Sequence, residues 1–291
     1  MQLPIGITRG TSNYGLEYLD IEHPKARARI FLQGAQVTEF QATNQPALLW
    51  LSPEEDFRPG KAIRGGIPIC WPWFGAHGSD TAAPAHGFAR TSVWKLDNVI
   101  NNDDGVFLTL SLPMPDRPDW PYSASLTLAV SVSDYLGLAL TTRNTGSDEL
   151  VLTQALHTYF NIVDIEQVRI TGLAGSRYDD QLLGAAGKGL ACSESQLSIA
   201  GEVDRIVYPR QPLGLNAPAY QLDIATQGSA SAVIWNPWLE KSSRLSNFPT
   251  DGYKSMVCVE TANCGADVAV IGVGASHTLQ VEYRQLNTGK N

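Results

Sequence analysis

The chain has 291 residues, 43% hydrophobic and 17% charged, which is ample apolar material for a large core and compatible with one domain spanning 1–291. A net charge of −8 and a pI near 5.1 argue against a general nucleic-acid or anionic-membrane binder while leaving room for a small basic pocket. No apolar run reaches transmembrane length. The N-terminus, MQLPIGITRG, lacks a basic region followed by an apolar core, so a cytoplasmic location is expected.

In chain order, the segments ARARIFL (26–32), VFLTLSL (106–112), SASLTLAVSVS (123–133) and LGLALTTRN (136–144) read as strands. LVLTQALHTYFNI (150–162) reads as one more. VRITGL, YQLDIAT, SAVIWNP, SMVCVETAN and HTLQVEYRQL follow. Turn-rich breaks separate them: SDYLG, NTGSDE, NPW and PTDGY. Residues 182–196, small and polar, read as a surface loop. Sustained helical spacing is absent, and strands joined by short turns without βα alternation predict an all-β, antiparallel sandwich or barrel.

Residues 62–80, AIRGGIPICWPWFGAHGSD, combine Gly, Pro and aromatics too densely for a helix or a continuous strand. The segment is either an aromatic wall for a sugar or an irregular piece of core. Arg64 within it, and Arg90 in PAHGFAR (84–90), carry guanidinium forks suited to phosphate or carboxylate. His77 is expected at the surface. Period-2 geometry puts Thr153, Ala155, His157 and Tyr159 on one face, and Met256, Cys258 and Glu260 on another. His157 is a proton donor or a packed strand residue. Glu260 is a base held in a cleft or an ion-paired carboxylate. Asp204, in GEVDRIVY, is a turn residue, a partner of Arg205, or an acceptor for hydroxyls. The four cysteines, Cys70, Cys192, Cys258 and Cys264, form no C-x-x-C and have no nearby His to complete a zinc pattern. Reduced thiols are expected, with a Cys258–Cys264 bridge left open. G-x-S-x-G, Walker A, dinucleotide and H-E-x-x-H motifs are all missing.

Seven segments together, GAQVTEF (34–40), IRGGIPICWPWFG, HGFAR, LHTYF, GEVDRIVY, VIWNPW and VCVETAN, resemble the hexose-6-phosphate mutarotases of the aldose 1-epimerase superfamily, in order, over about residues 30–285. The resemblance implies a large, distorted β-sandwich of the galactose mutarotase type. It implies a cofactor-free, metal-free site that converts the α and β anomers of a sugar phosphate. By the same resemblance His157 is the general acid and Glu260 the general base. Arg64 and Arg90 bind substrate, including its phosphate, Asp204 contacts sugar hydroxyls, and His86 lines the pocket. Many relatives read QHGFAR with a substrate-touching glutamine, where this chain has Ala85. A monomer acting on a small molecule is expected, without nucleic-acid or membrane partners. The competing readings are a non-catalytic carbohydrate-binding module, and a glycosidase using Asp204 and Glu260 as its two carboxylates.

Overall fold

The strand Met256–Asn263 shows how the sequence builds the molecule. Its odd-numbered Val257 and Val259 pack into the main core, whereas Met256, Cys258 and Ala262 belong to a second, smaller cluster on the opposite face. This is the alternation that a strand buried on both sides requires. The computed structural model describes residues 2–286, and the strand lies at the centre of one of its two large sheets.

That sheet has eight strands. Its path runs Leu190–Ala191, Arg177–Asp180, Val203–Tyr208, Ser231–Asn236, Met256–Asn263, Gln154–Leu156 and Ile69–Cys70, and Tyr159–Asn161 also pairs with Met256–Asn263. Packed behind it is a nine-stranded sheet whose central strands, Tyr220–Gln227, Ser276–Leu286, Leu136–Asn144, Ala124–Val132 and Gly105–Leu112, are long and in continuous antiparallel register. Leu140, Leu279 and Val281 from this second sheet share the core with Val257 and Val259. Between the sheets the hydroxyls of Thr158 and Tyr283 meet at 2.6 Å, and the rings of Phe160 and Tyr283 pack edge to face. A four-stranded sheet, from Ile7–Thr11 to Gln36–Ala42, adds its apolar face to the same core. All pairings between strands are antiparallel among the described residues, so the all-β sandwich expectation holds.

Two readings need correction here, while the expectation of reduced thiols holds. Residues 150–162 are not one strand but three short ones, Leu150–Leu152, Gln154–Leu156 and Tyr159–Asn161. The first leaves the sheet to pair with Ala269–Ile271, and around His157 the backbone turns to other partners: His157 N–H donates to the Pro68 carbonyl and Tyr159 N–H to that of Gly66. The strands Ile7–Thr11, Glu17–His23, Lys95–Asn102 and Leu213–Ala217 went unread, being interrupted by charged or small residues that weaken the apolar alternation. Cys258 and Cys264 are not bridged; all four cysteines are free thiols.

The segment 62–80 is irregular as expected, apart from the two-residue strand Ile69–Cys70. Its tryptophans are core rather than wall. Trp71 is fully buried and its indole donates to the Thr142 hydroxyl at 2.9 Å, and Trp73 donates to the Pro84 carbonyl. Gly65 and Gly66 both have positive φ, and a Cβ on either would strike backbone oxygens of Trp50 or Val37 within 2.5 Å. Only glycine permits that approach, which sets the chain direction immediately after Arg64. His77, placed at the surface by sequence, is half-buried with its ring edge-on to Trp73.

Candidate active site

Strand register assembles the site. Leu156 lies opposite Thr261 and Tyr159 opposite Cys258, so the intervening His157 faces Glu260 across the strand pair. On the far side of Met256–Asn263, Glu260 pairs with Val233 and Cys258 with Trp235, and Trp235 pairs in turn with Asp204. Two adjacent rows therefore cross the open face of the eight-stranded sheet. One runs Asp204, Trp235, Cys258, Tyr159; the other runs Ile206, Val233, Glu260, His157. Cross-strand neighbours come within about 5 Å at Cβ, so these side chains touch.

Asp204, Trp235, Tyr159, Val233, Glu260 and His157 from these rows line a cleft of about 740 Å³. Arg64, Pro68, Phe74, His86, Arg90, Lys241 and Asn247 border it. All six residues singled out from sequence (Arg64, His86, Arg90, His157, Asp204 and Glu260) line this one cleft. Sequence reading missed Lys61, Lys241, Trp235, Tyr159, Gln181 and Asn247, which line it too. Tyr159 carried a usable signal, since it shares its strand face with His157. Lys241, on the short helix Trp238–Ser242, carried none.

His157 Nδ1 lies 3.3 Å from Glu260 Oε1. The contact is close but not aligned as a hydrogen bond, and both His157 Nδ1 and Glu260 Oε2 are buried without a hydrogen-bond partner. Burial dominates the protonation of both groups. It raises the Glu260 carboxyl well above its ordinary value, helped by the nearby Asp204 charge and opposed by Arg90. It lowers the His157 imidazole well below its ordinary value, helped by His86, Arg90 and Arg64. Burial thus biases the unliganded pair toward its neutral forms, a protonated carboxyl facing an uncharged imidazole.

The neighbours are fixed in turn. The imidazole of His157 stacks on the Tyr159 ring, with centroids 4.8 Å apart and planes 6° from parallel. Tyr159 accepts a long hydrogen bond from the Arg64 guanidinium, 3.4 Å, and the Arg64 backbone N–H donates to Glu55 at 2.6 Å. His86 Nδ1 accepts from the Gly75 N–H, and burial with Arg90 and Arg64 nearby lowers its pKa to about 3, so it is a neutral Nε2–H donor. Arg90 is anchored by donating to the backbone carbonyl of Ala85 at 2.7 Å. Asp204 is neither a turn residue nor a partner of Arg205. It stands within Val203–Tyr208 with Lys241 Nζ at 3.7 Å, while Arg205 pairs with Asp180. Burial raises the Asp204 pKa and outweighs the opposing Lys241 charge.

Four cations, Lys61, Arg64, Arg90 and Lys241, thus border a cleft in an acidic chain. An all-β, two-sheet antiparallel sandwich is the architecture of a galactose mutarotase-like protein. A galactose mutarotase related enzyme from Lactobacillus acidophilus shares the fold, with a TM-score of 0.72 at 14% identity over 94% of this chain and 99% of that one. The aldose 1-epimerase family model matches residues 17–284, and the chain belongs to that family, a family of isomerases. It is 34% identical to an Escherichia coli (strain K12) protein named "Putative glucose-6-phosphate 1-epimerase", over 91% of this chain and 89% of that protein. The crystal structure of a Salmonella typhimurium "putative mutarotase (YeaD)" superposes with a TM-score of 0.90 at 29% identity, covering 98% of this chain and 95% of that one.

Proposed function

We propose that this protein interconverts the α and β anomers of a hexose 6-phosphate, glucose 6-phosphate first among them, by acid–base ring opening and closure. The observation that carries the reading is the buried His157–Glu260 pair, held face to face by strand register in a cleft bordered by four cations. Opening the ring requires a base to take the anomeric hydroxyl proton and an acid to protonate the ring oxygen. Two groups sharing one proton supply both functions, and closure on the other face of the aldehyde returns the pair to its starting state.

In the reacting complex Glu260 is the base and His157 the acid. That requires the resting proton to pass from Glu260 to His157, and the substrate favours the transfer. Sugar hydroxyls offer hydrogen bonds to the carboxylate, and a bound phosphate offsets Arg64 and Arg90, two of the charges that keep His157 neutral. Arg64 and Arg90 grip the phosphate, with Lys61 and Lys241 adding to the positive field. Asp204 accepts from sugar hydroxyls, His86 donates from Nε2, and the Trp235 ring offers an apolar face to the pyranose.

The test is anomer exchange followed by NMR on matched free and phosphorylated hexoses. Catalysed exchange of glucose 6-phosphate, with a higher kcat/KM than for glucose, is the expected result. Binding without exchange would instead favour a carbohydrate-binding module, and release of reducing sugar from glycosides would favour a glycosidase.

A further inference from the structure

Three donors of different chemistry converge where His157 and Glu260 line the cleft and Cys258 is buried beside them: a His157 ring nitrogen, Cys258 Sγ and a Glu260 carboxylate oxygen, all within 4.8 Å of one another. Two come from neighbouring positions on one face of Met256–Asn263 and the third from the segment paired with it, so no local sequence spacing reveals the set. His157 and Glu260 are less than a tenth exposed, and each leaves a buried polar atom unpartnered, Nδ1 and Oε2. A buried lone pair without a donor is uncommon and marks a place where a ligand gains more than it displaces.

We infer that this trio is a capture site for zinc and similarly thiophilic divalent ions, and that occupancy shuts the enzyme off. Imidazole, thiolate and carboxylate make a donor set that zinc accepts, and the cleft leaves the fourth position to water or a sugar hydroxyl. Zinc bonds of about 2.0–2.3 Å place tetrahedral donors roughly 3.5 Å apart, so the trio has only to close by about an ångström. On binding, the aqua ion gives up waters, the Cys258 thiol and the Glu260 carboxyl release their protons to solvent, and His157 contributes its neutral lone pair. Thiolate and carboxylate then offset the repulsion from Arg64 and Arg90. The ion inhibits rather than assists, because it occupies the lone pairs of both groups proposed to move protons.

The experiment adds zinc chloride to the intact protein during anomer exchange, and cobalt(II) to a parallel sample read by absorbance. Zinc is expected to slow exchange competitively with sugar phosphate, with full recovery on adding EDTA. Cobalt is expected to give a thiolate-to-metal charge-transfer band in the near ultraviolet that added sugar phosphate diminishes. Cys258→Ala is expected to lose the band and to need at least about tenfold more zinc to halve its own zinc-free rate, since even an outer-shell partner of a metal contributes that much. Unchanged exchange in excess zinc overturns the inference. So does a missing cobalt band, or one that survives in Cys258→Ala and therefore belongs to another cysteine. The cobalt measurement on the wild-type chain needs no folded variant and no assumption about the sugar, so its failure is distinct from failure of the proposed reaction.

Discussion

The two large sheets do opposite jobs. In the nine-stranded sheet the central strands run eight to eleven residues in continuous register, with Leu128, Leu140 and Leu279 fully buried. In the eight-stranded sheet several strands are two to four residues long, and the breaks between them deliver His157, Arg64 and the walls of the cleft. Regularity stores stability, because every backbone group and apolar face finds a partner. Interruption creates sites, because a strand that stops frees side chains and backbone for other contacts. The broken sheet then carries costs the regular one avoids, chiefly a carboxyl and an imidazole buried beside each other.

This division can be broken or sharpened by experiment. The largest effect is expected at the pair itself: Glu260→Gln and His157→Asn should each slow anomer exchange about 10²–10⁴-fold with an unchanged circular dichroism spectrum. Near wild-type exchange in either variant would remove that residue from the chemistry. The regular sheet should show the reverse. Leu140→Ala should destabilise by about 2–5 kcal/mol in urea titration, yet leave kcat per folded molecule unchanged. Next comes Arg64→Ala, where a lost charge-assisted hydrogen bond of about 1.5–3 kcal/mol raises KM for glucose 6-phosphate roughly ten- to hundredfold. Free glucose should be affected less, and an equal loss on both sugars would argue against phosphate recognition at Arg64.

Smaller effects follow from pH. The Glu260 carboxyl is raised in the folded state, so the stability it contributes is present below its ordinary value of 4.5 and is lost as pH climbs towards the raised one. Glu260→Gln lacks that loss, and its melting temperature should gain on the wild type progressively above pH 4.5; a constant difference across the range would refute the buried-carboxyl account. The rate profile should be the least dramatic. In the free enzyme the imidazole takes up a proton only well below 6.5, so kcat/KM for an unphosphorylated hexose, which reports the free enzyme, should stay flat as pH falls through 6.5.

Sequence reading followed the same division. The long strands announced themselves by alternation, and Leu136–Asn144 was read to the residue. The catalytic candidates were legible because strand periodicity, together with a family resemblance, put them on shared faces. Three things were not legible. The break at His157 depends on backbone hydrogen bonds to Gly66 and Pro68, far away in sequence. Lys241 reaches the cleft only through the turn of a five-residue helix. The aromatic stretch left two readings open for a physical reason: Trp71 and Trp235 have the same side chain, and only tertiary packing decides that one fills the core while the other faces the cleft.

The anchor of Arg90 has a corollary for substitution. What holds the guanidinium is the peptide oxygen of residue 85, a group that every amino acid supplies. The side chain at that position is therefore released from any duty to the arginine. Substitution at residue 85 thus leaves the backbone anchor of Arg90 in place.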